Sequence, residues 1–202
     1  MYYVKQIQYL LGVLILLDTG MSAVRSSEEM QAAGDHVPQK TVLAFGGNGF
    51  IGSEVVSRMI ERNYKIFLVS RGNWYFDSAE RIKPYVTQVI CDRENSDLEY
   101  CTDLMKILNE TEYFDYVLDF SAYNPEVISD VIEHLEGKTG VYVYISSDSV
   151  YEVCQRPEVI TPSKETDAVR PTDEDEMGKL SELDSYGNGK LAGEEVMKRK
   201  LV

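Results

Sequence analysis

The chain has 202 residues, room for one domain or one and a half, and is 44% hydrophobic and 27% charged with 14 glycines and 6 prolines. That composition is globular and excludes collagenous, low-complexity and wholly disordered classes. A formal net charge of −14 without a basic patch speaks against a nucleic-acid partner. Two His and three Cys are too scattered for metal-ligand spacing, so no metal is expected. A Ser/His/Asp triad is disfavoured too, since His36 falls in a polar leader and His134 on a helix with a structural pattern.

At the amino terminus, Lys5 precedes an apolar run from Tyr9 to Leu17, which Asp18 and the small residues Gly20, Ser22 and Ala23 bring to an end. This order predicts a secretory signal peptide over residues 1–23 and a protein of the ER lumen or exterior. The alternative is a helix of the fold itself and a cytoplasmic protein. The run is too short to span a bilayer, which takes about 20 residues. A sequon at Asn109 fits the secretory route. Three cysteines cannot all pair within one chain: in an oxidising lumen one thiol stays free or bonds another chain, and otherwise all three are reduced. Residues 24–39 are polar and aperiodic, so the folded part is expected over 40–202.

Thr41 to Phe45 is a short apolar run leading into glycines, the pattern of a buried parallel strand. A helix follows, with Ile51, Val55, Val56, Met59 and Ile60 on one face. Further strands are predicted at Lys65–Val69, Val86–Cys91, Tyr116–Phe120 and Val141–Ser146. Between them lie helical patterns through Leu98, Cys101, Met105 and Leu108, and through Val127, Ile128, Val131, Ile132 and Leu135. Alternation at this spacing means βαβ units, hence a doubly wound α/β (Rossmann) domain, a parallel sheet with helices on both faces. Tyr151 to Asp184 reads as a surface loop with an acidic, solvated cluster at 173–176. Helical pattern resumes at Tyr186.

Gly46, Gly49 and Gly52 form GxxGxxG between the first strand and first helix. In that context the glycines allow a tight turn, close approach of backbone to a pyrophosphate and tight helix packing. The N–H groups of Phe50, Ile51 and Gly52 open the helix toward the anion. The acid that bonds the adenosine ribose in such sites falls about 20 residues on. Here the position 18 after Gly52 is Ser70, followed by Arg71. A guanidinium in place of a carboxylate favours the 2′-phosphate of NADP over NAD. Asp92 is placed to accept a hydrogen bond from the adenine amino group.

Tyr186 and Lys190 form YxxxK, which puts both on one helix face. A phenol of ordinary pKa about 10 is a poor acid or base at neutral pH unless a cation stabilises its phenolate. A Lys ammonium does that and can also hold the nicotinamide ribose. Ser146 or Ser147, at the carboxyl end of the fifth strand, can bond the substrate oxygen.

GGNGFIG, the Ser146–Tyr151 stretch and YGNGK resemble the extended short-chain dehydrogenase/reductases, the NAD-dependent epimerase/dehydratase family that includes UDP-glucose 4-epimerase. The resemblance covers roughly residues 41–202. It implies Ser147 as the catalytic hydroxyl, Tyr186 as acid/base and Lys190 as its partner, with Phe120, Ser121 and Ala122 along the nicotinamide. It also implies a nucleotide-sugar or related hydroxyl or keto substrate, and allows a homodimer. Where dehydratases carry Asp-Glu after the catalytic Thr, this chain has Asp148 and Ser149, which speaks against dehydration. Ser70-Arg71 resembles atypical members, which include NADP-using reductases and chloroplast stem-loop binding proteins. The family adds strands and a substrate domain after the YxxxK helix, whereas this sequence stops some twelve residues beyond Lys190. Two expectations follow: an NAD(P)-dependent oxidoreductase or epimerase, or a cofactor-binding module without catalysis.

Overall fold

In the computed structural model, residues 39–94, 97–155 and 162–200 are described. The predicted signal peptide and almost all of the leader lie outside them. The apolar runs become β1 (Thr41–Phe45), β2 (Lys65–Ser70), β3 (Thr87–Ile90), β4 (Phe114–Asp119) and β5 (Thr139–Tyr144). All neighbouring pairs are parallel, in the order β3-β2-β1-β4-β5. The order reverses between β1 and β4, where doubly wound sheets open a crevice at their carboxyl ends.

A central parallel strand covered on both faces needs an unbroken apolar run, and Val42, Leu43, Ala44 and Phe45 are all fully buried. Val42 and Ala44 face α1 (Phe50–Glu61) in a cluster with Val56, Met59 and Leu68. Leu43 and Phe45 face the opposite layer, with Leu104 of α3 (Thr102–Glu110), Ile128 and Val131 of α4 (Pro125–His134) and Met197 of the last helix. A one-turn α2 (Ser78–Arg81) sits between β2 and β3. Among the described residues no helix is long and apolar enough to cross a membrane.

The structure departs from the sequence pattern in several places. The helix expected through Leu98 and Cys101 begins only at Thr102, with Leu98 in a separate 3-10 turn before it. β4 and β5 begin earlier than their apolar runs because the ladder already pairs Phe114 with Thr139; β5 ends at Tyr144, leaving Ser146 and Ser147 beyond the strand. The expected loop over 151–184 contains α5 (Glu174–Leu183). The acidic cluster is its first turn, with the Asp173 side chain accepting from the Glu176 N–H, so these carboxylates suit the positive end of a helix dipole and remain exposed. Of the three cysteines, Cys91 and Cys101 form a disulfide with Cα atoms 5.3 Å apart, and Cys154 is a buried free thiol.

Candidate functional site

α1 starts on Gly49 with no side-chain cap and no acidic residue in its first turn, leaving its first N–H groups open to an anion. Gly46 has φ +71°, which side chains rarely adopt. A Cβ on Gly52 would stand 2.6 Å from the Gly46 carbonyl and 2.8 Å from Gly47 Cα. The close approach of α1 to the turn is therefore a consequence of the missing side chain at Gly52.

Above this turn lies a cleft of about 580 Å³, within the range of small-molecule and cofactor sites. Gly46, Gly49, Phe50, Ile51 and Gly52 form one wall. Ser70 and Arg71 line the end toward β2, with Asp92 toward β3. Phe120 and Ser121 close the far side. Ser70 Oγ accepts the Gly72 N–H at 3.2 Å, and Arg71 is exposed. Ala122 and Lys190 do not line this cleft: the Ala122 side chain is buried and its carbonyl accepts from Lys190 Nζ at 2.8 Å. An uncapped helix N-terminus, a turn with no room for a Cβ at Gly46 or Gly47 and a cleft of this size fit a dinucleotide.

Two cleft residues, Arg93 and Glu94, are ones the sequence patterns did not single out. Arg93, the residue after Asp92, makes a two-pronged ion pair with Asp119 at the end of β4 and lies 4.0 Å from the centroid of the Phe45 ring. Asp119 also accepts from Tyr142 Oη at 2.9 Å and from the N–H groups of Ser121 and Ala122. Burial opposes charge on both partners, but their pairing outweighs it: Arg93 is held above and Asp119 below its ordinary range. Glu94 reaches across to the β4–α4 loop, accepting from the Tyr123 N–H and from Asn124 Nδ2, both at 2.9 Å. A charged pair 26 residues apart has no periodic signature.

At the other end of the carboxyl edge runs α6 (Ser185–Lys200). Lys190 is 98% buried by side chain and backbone together and donates to the carbonyls of Ala122 and Ile145 at 2.8 and 2.9 Å. Burial pushes its ammonium down to about 8, against the pull of Asp119. Its Nζ lies 5.8 Å from the ring centroid of Tyr186, which is half exposed at the helix start. One turn on, the buried Glu194 accepts from Ser146 Oγ at 2.7 Å; Lys198 stands 3.7 Å from the other carboxylate oxygen, an ion-pair distance beyond hydrogen-bond reach. Ser147 begins the short 3-10 turn Asp148–Val153, its Oγ accepting the Ser149 N–H at 3.2 Å and facing Asp148 at 3.3 Å. Ser146 is thus engaged by α6, while Ser147 has only local partners, the difference expected if Ser147 is the one that meets a substrate.

The glycines of YGNGK let α6 come this close. A Cβ at Gly187 would strike the Ser149 carbonyl and one at Gly189 the Tyr123 carbonyl. Asn188 and Glu195 on α6 are held by Arg170, which extends the contact to the segment before α5. Among the described residues no cluster of His, Cys, Asp and Glu could hold a metal ion.

The sequence model of the NAD dependent epimerase/dehydratase family matches residues 42–199. The chain belongs to that family. No curated protein sequence matches it. Among solved structures, it resembles an epimerase of Methanothermobacter thermautotrophicus, with TM-score 0.57, 20% identity, 80% of this chain and 47% of the other covered. It also resembles a UDP-galactose 4-epimerase, with TM-score 0.54, 21% identity and 79% and 50% covered. A third is the Bordetella bronchiseptica enzyme WbmH in complex with NAD+, with TM-score 0.57, 18% identity and 81% and 53% covered. These likenesses show a shared fold. The chain spans about half the length of these relatives.

Proposed function

We propose that this member of the family is an NADP-dependent oxidoreductase or epimerase acting on a hydroxyl or keto carbon, with a nucleotide sugar as the substrate class. The observation that carries the reading is the buried Lys190 ammonium, held by the carbonyls of Ala122 on the β4–α4 loop and Ile145 just past β5, beside Tyr186 and next to the glycine-walled cleft. When bound, the nicotinamide cofactor supplies or accepts hydride. Tyr186 moves the proton at the substrate oxygen, Lys190 stabilises its phenolate, and Ser147 holds the same oxygen by a hydrogen bond. Gly46, Gly49, Phe50, Ile51 and Gly52 hold the diphosphate and Asp92 the adenine. Phe120 and Ser121, on the far side of the cleft, flank the nicotinamide. Arg71, exposed at the β2 end of the cleft, favours a 2′-phosphate there.

The test is hydride exchange from labelled NADPH with a panel of nucleotide sugars. Tyr186→Phe is expected to keep NADPH affinity and to lower exchange by roughly 100- to 10,000-fold. Equal turnover in the variant sinks the mechanism, and cofactor binding without exchange on any substrate leaves a binding module. We further infer a secretory location: the signal-peptide pattern, the Cys91–Cys101 disulfide and an exposed Asn109 sequon all support it. Retention of the chain in the cytosol counts against it.

A further inference from the structure

Tyr123 is an exposed aromatic residue on the β4–α4 loop for which the reading above has no use. Four observations converge on it. Its N–H is fixed by Glu94 at 2.9 Å, and Glu94 holds the next residue too, through Asn124 Nδ2. Its carbonyl packs against Gly189, where any side chain would collide with it. Its ring lies 4.9 Å from Lys190 Nζ, nearer than the ring of Tyr186 at 5.8 Å. The Tyr123 and Tyr186 rings are 6.1 Å apart, tilted by 46°, and each is about half exposed. Tyr144 completes the surround, its centroid 4.8 Å from the same ammonium.

The Lys190 ammonium is therefore bonded to two carbonyls from the strand-end side and covered by three phenol rings. Tyr144, from β5, is buried, so its ring is part of the core. Tyr186 is assigned to the reacting oxygen. Tyr123 alone is an exposed ring between Lys190 and the cleft, whose wall it also joins. An ammonium against an aromatic face is attracted to the ring quadrupole, the more so where water is thin. A ring in that place both shields Lys190 and draws it toward the side on which Tyr186 stands.

We propose that Tyr123 is a positioning residue of this site: its ring caps the Lys190 ammonium and keeps it on the side of the Tyr186 phenol. The role rests on Lys190 and Tyr186 forming the working pair, but it makes a statement about Lys190 that needs no substrate. The charged and titratable groups around Lys190 are Asp119 at the end of β4, Arg93 and Glu94 after β3, and the three tyrosines. A change at Tyr123 leaves all the others in place. Tyr123 itself stays a neutral phenol, its pKa raised by burial, by Tyr186 and by Glu94.

The experiment follows the side-chain carbon next to Nζ in protein labelled with 13C-lysine, through a pH titration by NMR. Lys190→Arg identifies the signal. The full chain is used, with no ligand added. Tyr123→Phe keeps the ring and is expected to keep the Lys190 midpoint. Tyr123→Leu keeps the cover and removes the aromatic face, and the midpoint is expected to fall by about half a pH unit or more. Tyr123→Ala opens Lys190 to water, and the midpoint is expected to rise toward the ordinary lysine value. A loss of fold shows directly in the spectra and is not mistaken for either shift. If both Leu and Ala leave the midpoint at the wild-type value, Tyr123 does not cap Lys190 and the proposal falls. Absence of hydride exchange on every substrate overturns the enzymatic reading and leaves this result standing.

Discussion

The cleft wall formed by β1, α1 and the turn between them is made of backbone, whereas the edge where β5 meets α6 is made of side chains. On the first wall the chemistry lies in N–H groups at an uncapped helix start, and side chains matter by being absent, as at Gly46 and Gly52. On the second, a buried Lys190, a buried Glu194 and three tyrosine rings meet from three different segments of the chain. The two differ in what disturbs them. A backbone cradle tolerates any change that leaves the turn intact and fails when a Cβ is added. A side-chain site depends on each partner and on the helix that presents it.

If that contrast holds, one substitution should disable each region and spare the other. Tyr186→Phe, with the largest expected effect, removes exchange while leaving the cradle intact. Gly52→Ala is its converse: the added methyl pushes against the Gly46 carbonyl, and NADPH affinity, read by nucleotide fluorescence, is expected to fall on the order of 100-fold. The NMR midpoint of Lys190 is expected to stay unchanged in that variant. A shift there would mean that the two regions are coupled, and the contrast would break. Arg71→Ala removes a single charge-assisted contact and should weaken NADPH binding about tenfold while leaving NADH binding unchanged. Equal losses for both nucleotides would move Arg71 from selecting the cofactor to merely shaping the cleft.

The smallest effect is one of pH. Burial pushes Lys190 down to about 8, so the ammonium is charged below that pH and neutral above it. A neutral amine no longer stabilises the Tyr186 phenolate, so exchange should decline as pH rises through about 8. In Lys190→Arg the guanidinium stays charged, and whatever exchange remains should lack that decline. An unchanged alkaline limb in Lys190→Arg would assign the titration to another group.

The alternation of apolar strands with amphipathic helices made the parallel doubly wound sheet legible, because a strand buried on both faces must be apolar throughout, as Val42 to Phe45 are. The glycine spacing marked the cradle for a similar reason: the constraint is local and leaves its trace in neighbouring residues. α5 was hidden because its carboxylates look like a solvated face, and only Asp173 accepting from the Glu176 N–H makes them a helix start. YxxxK named Tyr186 and Lys190 but said nothing of Tyr123 or Glu94, whose spacings from Lys190 follow no period.

By itself, then, the sequence determined the layers, the order of elements along the chain and the place of the cradle, since these follow from short-range pattern. Only the tertiary structure decided that Arg93 faces Asp119, that Cys91 bonds Cys101 and that Glu194 meets Ser146. It alone decided that Tyr123 covers Lys190. Such pairings join residues brought together by the winding of the sheet, and side chains distant in sequence acquire partners only when the packing of strands and helices brings them within reach.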